Sequence, residues 1–472
     1  MNTLAATVGL IKDLAFHCQW AKPQAGRLLV VGGAVRDRYW EQAPISVKDF
    51  DLEVYGMSYE CLIALLEQLG LKFDTVGRAF SVVKLMDYPV DISLPRRERK
   101  TGDLHTDFEV EADSTLSIEE ACERRDFTIN AISYDPVTRQ VIDPYNGMAD
   151  MQAGILRPTS ARFKEDPLRV LRAAQFIARY NLEPTYRLIK VCEELTDQFN
   201  TLSKERVFEE WNKLLLKGRS ISAGIQFLDD CGWLKHFPEL AALKGVPQDP
   251  IWHPEGCCLT HTKHCLDAFA RNRTGNDNED LLVGYAVLGH DFGKATHTTT
   301  DEHGKIHAYG HEEASGPLLE SFLKRLTNQT EFINQAVRLA QAHMRPVNLY
   351  NDRAGLSAIR RLALFVGRID LLMRVVRADQ EGRPPLPANH INCTEWMLQA
   401  ARTAEVESSK PKPIVMGRHL IKLGLQPGKV FSQILDRCFE AQVDGVFADQ
   451  DGGCKFAAQL IQTMSLDGLA RV

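Results

Sequence analysis

The feature that most constrains the fold is a glycine pair between an apolar run and a helical segment. Arg27–Val31 (RLLVV) ends in two β-branched residues, which favours a strand, and Gly32–Gly33 interrupts it before AVRDRYW, which suits the start of a helix. The alternation in DFDLEVY, from Asp49 to Tyr55, predicts a second strand. This order predicts a mixed α/β unit.

Further apolar runs extend this unit. Phe80–Met86 and Val90–Leu94 are typical of strands, Glu60–Leu69 has helical spacing, and the polar stretch Arg96–Asp113 is predicted to be a mobile loop. From about residue 155 helical periodicity dominates, beginning with a helix from Arg162. We therefore predict an α+β chain with an α/β head over 1–155, a helical neck and body over 156–245, a second helical domain over 246–400 and a helical tail over 401–472.

Composition excludes some function classes. No run of 18 apolar residues occurs, so a membrane-spanning helix is not expected. A formal net charge of −6 argues against wholesale electrostatic binding of nucleic acid and leaves room for a local basic surface. The arginine-rich stretch from Arg353 to Arg383 is a candidate for phosphate contacts, although solvated helix faces have the same composition. The 11 cysteines, without a C-x-x-C pair, indicate reduced thiols in a cytoplasmic protein.

Two acids in the DFDLEVY strand suggest a metal site. Alternate strand residues face the same side, so Asp49 and Asp51 would lie about 6.5–7 Å apart and could hold Mg²⁺ at a nucleotide's phosphates. Asp91, on a neighbouring predicted strand, is the third candidate acid. Gly32–Gly33 would let backbone N–H groups approach phosphate, and Arg36 would meet a triphosphate. Alone, a D-x-D pair is more typical of a solvated strand face.

Five ordered motifs resemble one family. GGAVRD, DFD, RRDFTINA from Arg124, DPYNG from Asp143 and EDPLRVLRAAQF from Glu165 are similar to the motifs of class II tRNA nucleotidyltransferases. These include the CCA-adding enzymes, the bacterial poly(A) polymerases and the A-adding and CC-adding enzymes. The resemblance covers most of the chain and implies a polymerase-β-like head that adds CMP and AMP, from CTP and ATP, to the 3′ acceptor end of tRNA.

The resemblance also implies roles for residues. Asp49 and Asp51 would carry the catalytic Mg²⁺. Asp166 and Arg169 would read the Watson–Crick edge of the base, because a carboxylate accepts from an exocyclic amine and a guanidinium donates to ring atoms. The pair is expected on one helix face, where a simple i,i+3 ion pair is the alternative. The nucleotide-binding set would be Gly32, Gly33, Arg36, Arg125, Asp126, Asn130, Asp166, Arg169 and Arg172.

Two departures bear on the assignment. Gln175 stands where many family members carry a second arginine, which puts one phosphate or RNA contact in question. The stretch from Val76 to Lys84 lacks the more basic pattern of the poly(A) polymerases, whereas the loop from Arg96 has full length, which argues against a CC-only enzyme. An A-adding enzyme or a poly(A) polymerase stays open as an alternative. In SKERVFEEWNKLL, the Glu205–Arg206 pair would brace the nucleotide-reading helix.

A second set of residues resembles a different site. An apolar helix ends in the dipeptide His290–Asp291, and imidazole with carboxylate suits divalent transition metals. The residue types and their order resemble an HD-domain phosphohydrolase, which implies phosphatase and 2′,3′-cyclic phosphodiesterase activity within 246–400. The alternatives are a degenerate HD domain, or an HD phosphohydrolase whose head serves as an RNA-binding module. The implied metal ligands are His261, His290, Asp291, His311, His343 and Asp379.

Overall fold

The chain divides into two compact units, Met1–His236 and Phe237–Val472. The computed structural model describes residues 4–40, 49–75, 82–100, 108–387 and 390–469. Helix and sheet are both present, so the predicted α+β class is confirmed. The finer division into head, neck, HD domain and tail remains a prediction. Within these described ranges, no helix combines the length and apolar character that a membrane span requires.

A seven-stranded sheet forms the framework of the first unit, in the order β3-β4-β5-β2-β1-β8-β9. β2 pairs antiparallel with β1 and parallel with β5, which sets Asp51 opposite Val31 on one side and opposite Asp91 on the other. Consecutive residues of β1 and β2 are buried, so both faces of these strands are covered. The strands of this unit are β1 (Arg27–Val31), β2 (Phe50–Tyr55), β3 (Phe73–Asp74), β4 (Val82–Leu85), β5 (Val90–Ser93), β6 (Arg96–Lys100), β7 (Phe108–Ala112), β8 (Ser133–Tyr134), β9 (Val141–Ile142), β10 (Ile155–Leu156) and β11 (Glu183–Pro184).

The predicted loop over Arg96–Asp113 is wrong where the structure describes it. β6 and β7 form an antiparallel pair with Arg96 opposite Ala112, and residues 101–107 lie outside the described residues. The backbone register sets Arg97 opposite Glu111 and Arg99 opposite Glu109. The loop was predicted because this stretch is polar, and polarity does not exclude a strand pair. The predicted strand over Phe80–Met86 is present as β4, and residues 76–81 also lie outside the described part.

Helices complete the first unit: α1 (Leu4–Trp20), α2 (Gly33–Tyr39), α3 (Tyr59–Gln68), α4 (Ile118–Glu123), α5 (Gly147–Ala153), α6 (Arg169–Tyr180), α7 (Tyr186–Glu194), α8 (Lys204–Lys217) and α9 (Ile221–Asp230). The predicted helix from Arg162 is wrong in its first turns. A 3₁₀ helix covers Ala161–Glu165, Asp166 is extended, and α6 begins only at Arg169. Pro167 explains the break, because a proline disfavours the α conformation of the residue before it.

Helices dominate the second unit: α10 (Pro238–Ala241), α11 (Cys258–Arg271), α12 (Asp277–Gly289), α13 (Lys294–His297), α14 (His311–Lys324), α15 (Thr330–Gln341), α16 (Arg345–Asn351), α17 (Leu356–Val366), α18 (Ile369–Glu381), α19 (His390–Thr403), α20 (Gly417–Lys422), α21 (Lys429–Val443) and α22 (Gln450–Leu469). A short hairpin joins β12 (Thr299–Thr300) to β13 (Ile306–His307). α12 packs against α11, α15 and α18, and its residues from Val283 to Gly289 are all buried. This core helix therefore leads straight to His290–Asp291.

Candidate active site and metal centre

A cleft of 510 Å³ lies in the first unit, between the ends of the central strands β1 and β2 and the start of α6. It brings together ten of the twelve predicted head residues, namely Gly32, Gly33, Arg36, Asp51, Arg125, Asp126, Asn130, Asp166, Arg169 and Arg172. The remaining two stand at its border, since Asp91 is in register with Asp51 and the exposed Asp49 immediately precedes β2. Asp49 is thus not part of the strand, contrary to the prediction.

The acids of the cleft crowd one another. Loss of solvation raises the pKa of Asp51, and the Asp91 carboxylate raises it further, while Arg125 acts in the opposite direction. Gly32 has φ +69°, and a Cβ there would lie 3.4 Å from Asp51 Oδ2. Glycine therefore permits this backbone conformation and keeps the space beside the carboxylate open. Crowded carboxylates next to an open corner suit a divalent cation, which would relieve their repulsion.

Glu53 holds two arginines of the cleft. It is fully buried on β2, and its carboxylate accepts hydrogen bonds from Arg124 Nη2 at 2.9 Å, Arg125 Nη2 at 3.1 Å and the Tyr55 hydroxyl at 2.7 Å. Burial favours the protonated acid, but the two guanidinium groups hold the pKa of Glu53 below its ordinary value. Sequence reasoning missed this residue, although its position two residues after Asp51 in an alternating strand was a usable signal.

A buried polar chain connects α2 to α6. Arg36 Nη1 donates to Asn130 Oδ1, Asn130 Nδ2 donates to Asp126 Oδ1 at 2.8 Å, and Asp126 Oδ2 accepts from Arg172 Nε at 2.8 Å. Arg36 also lies over the rings of Phe176 and Tyr180. It is 5% exposed, so it reaches the cleft from a fixed, buried position. The predicted nucleotide-binding residues thus brace one another.

Asp166 and Arg169 have separate partners. Asp166 Oδ2 accepts from Arg206 Nη2 at 2.6 Å, and its Oδ1 accepts from the backbone N–H of Leu168. Arg169 donates to the carbonyl oxygens of Arg162 and Arg124. The two residues do not share a helix face as predicted, because Asp166 precedes α6. Both still line the cleft, and the partner of Asp166 is Arg206 rather than Arg169.

Gln175, which stands where many family members carry an arginine, is buried in α6. Its side-chain oxygen has no hydrogen-bond partner among the described residues.

Several arginines between 353 and 383 form ion pairs with acids of the same unit. This pairing supports ordinary solvated helix faces over phosphate contacts for the arginine-rich stretch. These pairs are Arg361–Asp444, Arg368–Glu279, Arg374–Asp280 and Arg377–Glu381.

In the second unit, all six predicted HD residues converge. Asp291 stands at the centre, with Oδ1 3.3 Å from His311 Nε2 and 4.0 Å from His343 Nε2. Its Oδ2 is 3.4 Å from His290 Nε2 and 3.6 Å from His261 Nε2. Asp379 Oδ1 lies 3.1 Å from the same His261 nitrogen. The two oxygens of Asp291 therefore face two separate groups of nitrogen atoms.

Each imidazole is oriented through its other nitrogen. His290, His311 and His343 each donate from Nδ1 to the carbonyl oxygen three residues earlier, at 2.7, 2.7 and 2.8 Å. His261 Nδ1 lies 2.7 Å from Glu255 Oε1, a residue that sequence reasoning missed. These contacts fix the tautomer and turn Nε2 inward, the orientation found in metal-binding histidines.

The charges and unmet hydrogen bonds of this centre fit metal binding. Burial opposes ionisation, but His290 and Lys294 hold the pKa of Asp291 well below its ordinary value. Lys294 Nζ lies 2.8 Å from Asp291 Oδ2, whereas Asp291 Oδ1 and Nε2 of His290 and His311 are buried without hydrogen-bond partners among the described residues. Buried carboxylate and imidazole atoms left in this state are what cations would satisfy. A 560 Å³ cavity opens beside them, lined in part by Asp291, His311, His343, Asp379, Lys294 and Arg383.

Comparison with known proteins gives consistent matches. Residues 28–157 match the family model of the poly A polymerase head domain, and residues 181–244 match that of the probable RNA and SrmB- binding site of polymerase A. The chain is 35% identical to the multifunctional CCA protein of Nitrosospira multiformis over 390 residues, which are 80% of this chain and 89% of that protein. It is 33% identical to the multifunctional CCA protein of Acinetobacter baumannii over 388 residues, 79% of this chain and 89% of that protein.

Solved structures show the same fold at low identity. The CCA-adding enzyme of Bacillus stearothermophilus in complex with CTP gives a TM-score of 0.65 at 18% identity, covering 99% of this chain and 100% of that one. The Thermotoga maritima CCA-adding enzyme, complexed with tRNA, gives a TM-score of 0.58 at 18% identity, covering 96% and 95%.

Proposed function

Because the chain belongs to the family of multifunctional CCA proteins, we propose that it adds CMP, CMP and AMP to the 3′ acceptor end of tRNA from CTP and ATP. The nucleotidyltransferase class predicted from the motifs is confirmed by this membership. One observation carries the proposal: a single cleft contains both the acid Asp51 beside Asp91 and the base-reading candidates Asp166 and Arg169. Transfer chemistry and base choice would thus share one site.

We assign the reacting groups as follows. Mg²⁺ bound by Asp49 and Asp51, next to Asp91, would stabilise the attacking and leaving oxygens as the RNA 3′-hydroxyl displaces pyrophosphate from the α-phosphate. The backbone N–H groups at Gly32–Gly33 and the guanidinium group of Arg36 would bind the triphosphate, and Arg125 would contact the nucleotide beside them. Glu53 accepts a hydrogen bond from Arg125 Nη2 and thereby orients its guanidinium group.

Base choice would depend on Asp166 and Arg169. Arg206 holds one Asp166 oxygen at 2.6 Å, which fixes the carboxylate so that it can accept from the amine of cytosine or adenine. Two backbone carbonyl oxygens hold the guanidinium group of Arg169, which lines the same cleft. Uracil and guanine do not offer the same pattern and would be rejected.

The decisive experiment uses purified protein, a tRNA that lacks CCA, and CTP alone. We expect two CMP residues to be added, and a single AMP after ATP is supplied. Absence of CMP incorporation would reject CCA addition in favour of the A-adding alternative. Continued AMP addition beyond one residue would indicate a poly(A) polymerase.

We further propose that the second unit is an HD-type phosphohydrolase with phosphatase and 2′,3′-cyclic phosphodiesterase activity. The buried atoms without partners and the inward Nε2 atoms support two divalent transition-metal ions, which the four histidines, Asp291 and Asp379 would hold. Such ions, when bound, lower the pKa of a water molecule for attack on phosphate. Lys294, whose Nζ is 2.8 Å from Asp291 Oδ2, and Arg383 supply positive charge at the cavity that would hold that phosphate.

Two reciprocal variants separate the activities. Asp49→Ala with Asp51→Ala should abolish nucleotide addition and leave phosphate hydrolysis intact, and His290→Ala should do the reverse. Nucleotide addition that survives the double change would refute the head site. If hydrolysis is absent from the wild-type protein supplied with transition metals, the HD domain is degenerate. We also propose a cytoplasmic location, because the proposed substrate is tRNA. The four-part domain division is proposed likewise.

A further inference from the structure

A cysteine lies inside the metal centre of the second unit. Cys265 is one turn after His261 on α11, so the two side chains share a helix face. Cys265 is fully buried, and its Sγ lies 3.3 Å from His261 Nε2. This Sγ and one ligand atom each of His261, His290 and Asp379 all lie within 4.8 Å of one another. Sulfur therefore belongs to one of the two atom groups that Asp291 separates.

The distances in this group suit a shared ion. Nitrogen or oxygen ligands at about 2.0 Å and sulfur at about 2.3 Å from a tetrahedral ion are about 3.3–3.6 Å apart. The sulfur–nitrogen distance of 3.3 Å and the His261–Asp379 distance of 3.1 Å are close to these values. Independently, His290 Nε2 is aimed into the group, is 1% exposed and has no hydrogen-bond partner among the described residues. Because His290 Nδ1 donates to the Val287 carbonyl oxygen, Nε2 offers a buried lone pair of the kind that binds metal ions.

The packing around the sulfur is specific. Gly382 follows α18 and its Asp379, and a Cβ at this position would collide with Cys265 Sγ and approach the Cys265 backbone nitrogen to 2.8 Å. Glycine thus allows the end of α18 to approach α11 closely enough for Asp379 and Cys265 to meet. The opposite group, around His311 and His343, faces Asp291 Oδ1 with nitrogen atoms.

We propose that Cys265 is a thiolate ligand of one of the two ions, completing a sulfur-containing site with His261, His290 and Asp379. The proposal rests on the proposed HD metal centre. It makes the two ion positions chemically unequal: one has a sulfur donor, and the other is surrounded by nitrogen and oxygen. Thiolate favours zinc over magnesium or manganese, so the Cys265 position selects the softer ion.

Cobalt absorption tests the sulfur bond directly. The full chain is stripped with a chelator and titrated with Co²⁺, and a near-ultraviolet sulfur-to-cobalt charge-transfer band is followed together with the visible ligand-field bands. The variants are Cys265→Ser and, as a matched control, Cys257→Ser at the neighbouring start of α11. Circular dichroism and CMP addition verify that each variant is folded.

We expect the charge-transfer band in the wild type and in Cys257→Ser, and its loss in Cys265→Ser with visible cobalt bands retained. We also expect Cys265→Ser to weaken zinc binding by at least about tenfold while manganese binding changes little. Cobalt binding without a charge-transfer band, or a band that survives in Cys265→Ser, overturns the sulfur ligand but leaves the HD metal centre standing. Failure of the wild type to bind cobalt or zinc overturns the metal centre and the sulfur ligand together.

Discussion

Neutralising Glu53 tests whether a buried acid positions the arginines of the nucleotidyl-transfer cleft. In the wild type its carboxylate accepts three hydrogen bonds, two of them from guanidinium groups. Glu53→Gln keeps the size of the side chain but leaves only one oxygen and adds an amide donor that faces Arg124 or Arg125. The Tyr55 hydroxyl and Arg125 both donate to Oε2 and Arg124 donates to Oε1, so the single amide oxygen keeps at most two of the three contacts. At least one hydrogen bond from a guanidinium group is therefore lost, and two positive charges lose their neutralising partner.

The magnitude follows from these contacts. A hydrogen bond to a charged group contributes about 1.5–3 kcal/mol, so one lost bond corresponds to about 1.5–3 kcal/mol. The guanidinium groups are 15% and 16% exposed, and water that reaches them favours the lower end, about 1.5 kcal/mol. For a unit of this size the loss corresponds to a fall in melting temperature of about 3–6 °C. If the displaced Arg125 binds the triphosphate less well and the activation free energy rises by about 1.4 kcal/mol, kcat/KM for CTP falls by about tenfold.

The assay combines calorimetry with single-nucleotide addition to tRNA, and phosphate hydrolysis by the second unit serves as an internal control for folding. Glu60→Gln, an exposed acid at the start of α3, is the matched control and should change neither quantity. A lower melting temperature with kcat/KM within twofold of wild type would refute the positioning role and leave a purely structural one. If neither quantity changes, the buried pairing itself is refuted.

Three further predictions concern the other residues. Asp166→Ala should raise UMP relative to CMP incorporation by about tenfold or more, because a good base contact discriminates by 1–3 kcal/mol, and Arg206→Ala should show a weaker form of the same defect in competition assays; unchanged ratios would contradict the base-reading role. Arg172 and Asn130 overcome burial and hold the pKa of Asp126 below its ordinary value of 3.8, so its stabilisation is complete above that pH and is lost as the pH falls through the folded-state value. The melting temperatures of wild type and Asp126→Asn should therefore differ most near pH 7 and converge below pH 3.8, and a constant difference would oppose this reasoning. Chelation should remove both activities, after which Mg²⁺ alone restores nucleotide addition and only a transition metal restores hydrolysis; recovery of both with Mg²⁺ would argue against the ligand chemistry assigned to the second site.

Local patterns explain what the sequence could predict in the head. The strand, the glycine turn and the alternating acids all lie within a segment of about 30 residues, so local periodicity is sufficient to identify them. The same method failed at Asp166, because the helical spacing of apolar residues was extended back across Pro167. It also failed at Arg96–Asp113, where charged residues that look like a solvated loop match each other only when the two strands are aligned. At Asp166 a short-range rule applied, the effect of a following proline, whereas the pairing of β6 with β7 depends on residues well separated in the sequence.

The contacts that make the sites work are of another kind. Arg124 and Arg125 meet Glu53 across 71 and 72 positions, and His261 meets Asp379 across 118. No periodicity spans such intervals, and a buried acid can be recognised only when its partners are known. Cys265 shows the limit most clearly. Its spacing from His261 is a metal-ligand spacing on a helix, yet a buried cysteine is usually a packing residue. Packing of α11 against α18 brings Asp379 next to the sulfur, and the unpartnered nitrogen of His290 lies in the same group. These neighbours distinguish a metal ligand from a small apolar side chain.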